Sequence, residues 1–260
     1  GIADPAQRFV DEVVTIAAMH STSPESTQRT LRFMALAAIS SMASMRVCDP
    51  MLPALSQEFN VSTGDASAVI AAFAVAYGVL QLFYGPLGDR LGKTRVVLGA
   101  TSACALISAI TALAPNLTAL VVSRAAMGAS AAGIIPLCMA WIGDQVPYEQ
   151  RQETLAGLMV ATVSGMMAGQ WFGGFAVEAL GWRVAFGVLA FLFATAATLL
   201  WRQVNATTPG VGSVHESSAP FSLRAYLAST RQLLAMPRVR WVLAVVTIEG
   251  ALAFGTLAFV

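Results

Sequence analysis

The chain carries no charge between Asp65 and Asp89, and none again between Glu153 and Glu178. Apolar stretches follow one another at 33–55, 66–88, 96–115, 117–142, 154–177 and 184–201, and a further one begins at 241. Crossing the bilayer core takes about 20 apolar residues, and a crossing segment must be helical because lipid offers backbone amides no partner. A soluble helical core would instead need a polar face on each helix, and these stretches have almost none. The pattern predicts an all-α, polytopic membrane protein in four parts. Residues 1–32 form an N-terminal segment, 33–201 a six-helix bundle, 202–240 a polar connection, and 241–260 the start of a seventh helix. The last apolar run is unfinished at Val260, so the sequence reads as a piece of a longer chain.

Composition sharpens this picture. Only 11% of the 260 residues are charged and the mean hydropathy is +0.69, where a soluble domain carries about 25% charge. A net charge of +1 gives no reason to expect a nucleic-acid partner. Cys48, Cys104 and Cys138 lie in apolar runs without CxxC spacing and read as buried thiols, and two histidines make a histidine metal centre improbable. The first thirty residues mix Asp4, Arg8, Asp11, Glu12 and Glu25 with short apolar runs, which is no secretory signal.

Basic residues give an orientation. Arg8, Arg29 and Arg32 precede the first span; Arg90, Lys93 and Arg95 follow the second, and Arg151 follows the fourth. Arg202, Arg224, Arg231, Arg238 and Arg240 follow the sixth, while the opposite side has only Arg183. This asymmetry predicts a cytoplasmic N-terminus. Within the polar connection, "FSLRAYLASTRQLLAMP" fits either a basic amphipathic helix on the cytoplasmic face or a linker. The sequons at Asn60, Asn116 and Asn205 read as chance matches.

The stretch "GPLGDRLGKTR", residues 85–95, has the glycines and GKT of a phosphate loop, but the spacing fails. Such a loop needs glycine where Leu87 stands, and a preceding strand where this chain has a membrane span. The stretch reads better as a tight turn between two spans, with Gly85 allowing close packing, Gly92 bending the chain, and Lys93 and Arg95 anchoring the inner surface.

Gly85, Asp89 and Gly92, followed by Lys93 and Arg95, resemble the signature between the second and third helices of the major facilitator superfamily. In the fourth span, "SRAAMGASAAG" places Arg124 and Gly128 like the family's second motif. In the fifth, "GMMAGQWFGG" is similar to the glycine-rich motif of its proton-driven efflux branch, with Gln170 where proline is usual. The resemblance runs from Phe33 to Val260. It implies a bundle of inverted three-helix repeats, and a loop in which Asp89 and Arg90 steady one access state, with Asp144, Glu149 and Arg151 as partners. An internal comparison agrees: "GFAVEALGWR", 174–183, laid under "GPLGDRLGKT", 85–94, puts Gly174, Glu178, Leu180 and Gly181 beneath Gly85, Asp89, Leu91 and Gly92. The constant shift of 89 relates segments on opposite sides of the membrane, as an inverted repeat requires.

Ionisable groups inside spans cost at least ~2.5–3.5 kcal/mol on insertion scales and mark functional sites by default. In "RVCDPMLPAL", Arg46 and Asp49 share a helix face, and Pro50 and Pro53 deprive the carbonyls of Arg46 and Asp49 of amide partners, so the helix bends at Asp49. At 1.5 Å per residue Arg46 lies ~20 Å and Asp49 ~24 Å from Phe33, and Arg124 ~10 Å from the other side, so all three reach similar depth in the outer half. On the functional reading Asp49 titrates, with Arg46 and Arg124 favouring its charged form until proton or substrate competes. On the bland reading Arg124 snorkels to the headgroups and Arg46–Asp49 is a static bridge. Glu249, ~12 Å into the seventh span, is a second proton or substrate candidate.

Gly165, Gly169 and Gly173, extended by Ala161, form a stripe beside Gly174, and Ala125, Ala129 and Gly133 form another. Close helix packing accounts for both. The resemblance implies that the fifth-span stripe meets a helix of the other half and slides there.

These features predict a secondary active transporter working by alternating access. Proton antiport that exports a small organic solute or drug is the leading reading, and proton symport of a metabolite such as a sugar or organic acid is the alternative. Its partners are then a small-molecule substrate, protons and the lipid bilayer, with no cofactor, in a monomer of the bacterial inner membrane. A retinal protein would need a lysine in the seventh span, yet the only lysine is Lys93; a G-protein-type receptor would face its N-terminus outward. A membrane-embedded enzyme would need a nucleophile–base pair, metal spacing or phosphate loop, and none is legible.

Overall fold

The computed structural model describes residues 24–206 and 235–257, which belong to two compact units divided at 215/216. Among the described residues there is no strand. The first unit contains α1 (Pro24–Arg46), a 3-10 turn (Asp49–Met51), α2 (Leu52–Phe59), α3 (Thr63–Ala66), α4 (Ala68–Leu91), α5 (Lys93–Ala112), α6 (Leu117–Ala131), α7 (Ile134–Gln145), α8 (Tyr148–Ala179) and α9 (Trp182–Ala206). The second contains α10 (Pro237–Leu257). Six helical segments of the first unit are long and apolar enough to cross a membrane: 25–59, 63–91, 93–112, 117–145, 148–179 and 182–206. Helix begins at Pro24, well inside the segment expected to end at residue 32, and α9 outruns the expected boundary at 201. Most of the proposed amphipathic stretch, and residues 1–23, lie outside the described residues.

Local chemistry explains the ends. Asn60 closes α2 in the left-handed region (φ 51°), its N–H bonding back to Gln57 and Ser56, a conformation asparagine tolerates better than most residues. Ser62 caps α3 by accepting from the Asp65 N–H, and Asn116 caps α6 by accepting from the Ala119 N–H. Two of the three sequons thus hold helix termini.

The first and fourth spans are broken. Pro50 cannot supply the amide that the Arg46 carbonyl needs, and α1 gives way at Val47–Cys48 before the 3-10 turn restarts the chain. The expected bend is therefore a full interruption. The fourth span was expected to be continuous, yet it divides at Ala132–Gly133, where Pro136 leaves the Ala132 carbonyl without its amide. Two glycines share a positive φ of 86°, Gly92 between α4 and α5 and Gly181 between α8 and α9.

These pairs of features are the inverted repeat. Broken span α1/α2 corresponds to broken span α6/α7, α4 to α8, and α5 to α9. The helix partners obey the same exchange: α1 packs along α8 as α6 packs along α4, and α5 packs along α9. The 89-residue shift read from sequence maps Gly92 onto Gly181, and their shared φ makes the equivalence physical. A side chain in this region costs about 1–3 kcal/mol. Gly92→Ala and Gly181→Ala should each lower the melting temperature in detergent, and unaltered melting would show that neither bend is strained.

Contacts define two ends. At one, Lys93 at the start of α5 bonds Asp144 near the end of α7 and lies 3.8 Å from Asp89, and Gln203 donates to the Ser26 carbonyl at 3.2 Å. This is the basic end. At the far end, Arg183 at the start of α9 bonds Glu58 near the end of α2 at 2.7 Å.

Candidate functional site

The break in the first span gathers the charged residues of the bundle interior. Arg46 is the last residue of α1 and Asp49 the first of the 3-10 turn, so their ion pair, Nη1 to Oδ2 at 2.8 Å, bridges the interruption. Both side chains are 21% exposed, so they are neither sealed in the core nor lost to the surface.

Arg124, from α6, lies behind this pair and is wholly buried. Its Nη1 donates to the Ser44 carbonyl at 2.8 Å and to the Met127 sulfur at 3.4 Å, and its guanidinium lies 4.3 Å from the centre of the Phe73 ring. Ser44 is four residues before Cys48, so Arg124 caps one of the carbonyls at the α1 terminus. The snorkelling reading of Arg124 is therefore overturned: a side chain with no exposure, tied to a neighbouring helix, does not reach a headgroup. Nor does it bond Asp49; the Ser44 carbonyl takes its Nη1 instead. Its Nε and Nη2 have no hydrogen-bond partner in the structure. A buried guanidinium with two unused donors is held at considerable cost, partly offset by the cation–π contact, worth up to about 2 kcal/mol when desolvated.

The break in the fourth span is held without charge. Tyr84, from α4, points its hydroxyl at the Ala129 and Ser130 carbonyls, at 3.0 and 3.1 Å, and its ring occupies the space a side chain at Gly133 would need. The expected stripe Ala125–Ala129–Gly133 thus meets an aromatic ring at Gly133, and Gly128 lies bare against the Phe73 carbonyl.

Gly165, Gly169 and Gly173 are buried against the Ile39, Ala43 and Val47 carbonyls, one after another along α1. This corrects the implied contact with the other half: the stripe is consumed inside this bundle, and it ends beside the break. Gly174 lies beside Pro50, whose Cβ is 3.7 Å from where a side chain would begin. Gln170 is exposed.

The expected loop cluster is assembled in part. Asp144 takes Lys93 as its partner, with Asp89 3.8 Å from the same ammonium. Arg151 donates to the Val146 carbonyl at 3.3 Å and faces the Tyr148 ring. Gly85 has open space around it, Arg90 and Arg95 lie in the same turn region, and Gly92 makes the bend. Glu249 is exposed on α10, in the second unit.

Sequence reasoning missed Tyr84, Phe73 and the Ser44 carbonyl, because tertiary partners of a broken helix leave no local signal. It also left Glu58, Trp182 and Arg183 unassigned, although Arg183 was the only basic residue of its side.

Comparison with known proteins agrees with this geometry. A family profile described as the Major Facilitator Superfamily matches residues 34–260. An uncharacterized MFS-type transporter, YceJ, of Bacillus subtilis is 27% identical over 197 residues, covering 75% of this chain and 47% of the relative. The inner membrane transport protein YnfM of Escherichia coli is 23% identical over 167 residues, 64% of this chain and 40% of that protein. The quinolone resistance protein NorA of Staphylococcus aureus is 27% identical over 167 residues, 62% of this chain and 42% of that protein. The chain thus spans less than half the length of these relatives.

Proposed function

The chain belongs to the major facilitator superfamily, and from that premise we propose that it supplies the first six-helix half, residues 33–201, of a secondary active transporter exporting a small organic solute or drug in exchange for protons. Residues 202–240 join it to a second half that begins at 241. The observation that carries this reading is the Arg46–Asp49 pair across the broken first span, with the buried Arg124 behind it. A discontinuous helix with an ionisable group at its break is a recurring way for transporters to bind ions near the bilayer midplane. Asp49 is the proton acceptor, Arg46 its competitor, and Arg124 a fixed positive field. Glu249 is a second ionisable candidate, contributed by the seventh helix.

Export rather than uptake is favoured by the fifth-span motif and by one relative being a quinolone resistance protein. The distribution of basic residues supports a cytoplasmic N-terminus and the bacterial relatives support an inner-membrane location, with the Lys93–Asp144–Asp89 cluster steadying one access state from the cytoplasmic end.

Proteoliposomes carrying the intact transporter test the mode. With a pH gradient imposed and candidate solutes on both sides, antiport accumulates solute in the acidic compartment, and symport in the alkaline one. Accumulation in the acidic compartment is expected. Accumulation in the alkaline one would establish the symport alternative, and no response to the gradient would remove proton coupling.

A further inference from the structure

Beyond the break, the first span continues as α2, only eight residues long, and its far tip is fastened. Glu58 accepts from two residues at the start of α9: Arg183 Nη1 bonds Oε1 at 2.7 Å, and Trp182 Nε1 bonds Oε2 at 2.5 Å. Arg183 also donates to the Ala114 carbonyl in the α5–α6 connection at 3.4 Å, and its guanidinium lies 4.3 Å from the centre of the Trp182 ring. Phe59 packs on the same indole, ring centres 6.1 Å apart. One carboxylate therefore ties the tip of α2 to the start of α9, and Arg183 in turn ties that start to the α5–α6 connection.

The repeat gives this fastening a meaning. At the basic end α7, the part of the fourth span beyond its own break, is fastened at its tip by Asp144 to Lys93. Pro50 and Pro136 sit at equivalent places in the two breaks, 86 residues apart, and the same shift carries Glu58 onto Asp144. Lys93 is the first residue, and Arg183 the second, of a helix that follows a positive-φ glycine. The bundle thus holds two short half-helices, pointing to opposite ends, each hinged at mid-bundle and held at its tip by an acid–base pair. The Arg46–Asp49 pair spans the hinge of the first, so moving α2 must change the separation of Arg46 and Asp49.

We propose that α2 is a lever latched at its tip by Glu58 to Trp182 and Arg183, whose release opens the far side of the bundle and draws Asp49 away from Arg46. Glu58, Trp182 and Arg183 are positioning residues, acting on Asp49 through α2. An exposed ion pair alone contributes little, but here one carboxylate takes two charge-assisted bonds and is backed by aromatic packing. The inference rests on the transport reading only for the use made of Asp49; the lever itself is read without transport.

Cys48 sits in the hinge and is wholly buried, which makes it a native reporter. In the intact transporter with Cys104 and Cys138 replaced by serine, labelling of Cys48 by a membrane-impermeant maleimide should be slow. Glu58→Ala should speed it about tenfold, the factor corresponding to ~1.4 kcal/mol, and Arg183→Ala should act alike should the first variant fold poorly. The buried Cys104, kept as the sole cysteine in a parallel set, should label no faster. Unchanged Cys48 labelling in both variants, or an equal rise at Cys104, would overturn the lever, the second outcome showing a general staple of the bundle. If instead Asp49 proves dispensable for coupling, these labelling results stand and only the assignment of Asp49 falls.

Discussion

Asp49→Asn is expected to reduce proton-driven transport to background while leaving the protein folded. The amide has the volume of the carboxylate and keeps an oxygen to accept from Arg46 Nη1, so the bridge across the break survives as a hydrogen bond from the charged guanidinium to a neutral oxygen. What disappears is the ability to alternate between a charged and a proton-bearing state. Because Arg46 keeps a hydrogen-bond acceptor across the break, the variant should stay folded. A near-wild-type melting curve together with absent pH-driven flux in proteoliposomes is thus the expected combination. Coupled flux at the wild-type level in this variant would remove Asp49 from the mechanism.

The two broken spans differ in a way that favours the first for the proposed role. They are related by the repeat, and each needs something to satisfy the backbone carbonyls its interruption frees. The fourth span is served by Tyr84, a neutral hydroxyl; the first by Arg124, a buried cation. The 89-residue shift carries Tyr84 onto Gly173, so where α4 places an aromatic ring against the fourth span, α8 places bare backbone against the first, beside Val47. The room left by that glycine and the charge brought by Arg124 are departures from symmetry at one position of the fold. An inverted repeat with identical breaks would hold two equivalent sites; this one has a charged break and a neutral one.

Much of this was legible in the sequence. Charge-free runs gave the six spans because insertion into lipid depends on composition more than on tertiary detail. Arg46 and Asp49 were legible as a pair because helix geometry brings i and i+3 together, and the Gly92–Gly181 equivalence because a bend of that conformation excludes other residues. The partner of Arg124 was not, since a buried cation can end on any nearby carbonyl and nothing local to Ser44 marks it. The break at Ala132–Gly133 was signalled only by Pro136, and a proline in a membrane helix does not by itself say whether the helix kinks or divides. The partner of the fifth-span stripe was assigned by family resemblance to a helix of the other half. Composition says that a glycine stripe meets a backbone, and only the packed structure says which.

That seam between α8 and α1 sets the largest expected loss of stability. A methyl group at Gly169 would fall on the Ala43 carbonyl and lie 2.6 Å from the Ala43 Cα, and backbone cannot rotate aside as a side chain can. Restoring a carbon contact of about 3.5–4.0 Å requires the helices to part by ~1 Å. Gly165 and Gly173, on the same seam against Ile39 and Val47, would then face a gap, and a gap of 0.5–1 Å forfeits about a quarter to a half of each contact's dispersion energy. Helices in lipid lack a hydrophobic drive to associate, so dispersion is much of what joins α8 to α1. Gly169→Ala should therefore cost about 3 kcal/mol, the upper end for overpacking, and lower the melting temperature by ~6–12 °C. Gly85→Ala is the control: it too is helical, but no atom lies within 4 Å of the added carbon, so the change should be neutral or gain about 0.5–1 kcal/mol from helix propensity. Equal melting of the two variants in detergent would mean that the glycine stripe does not set the spacing of α1 and α8, and the account of the break that depends on their close approach would fall with it.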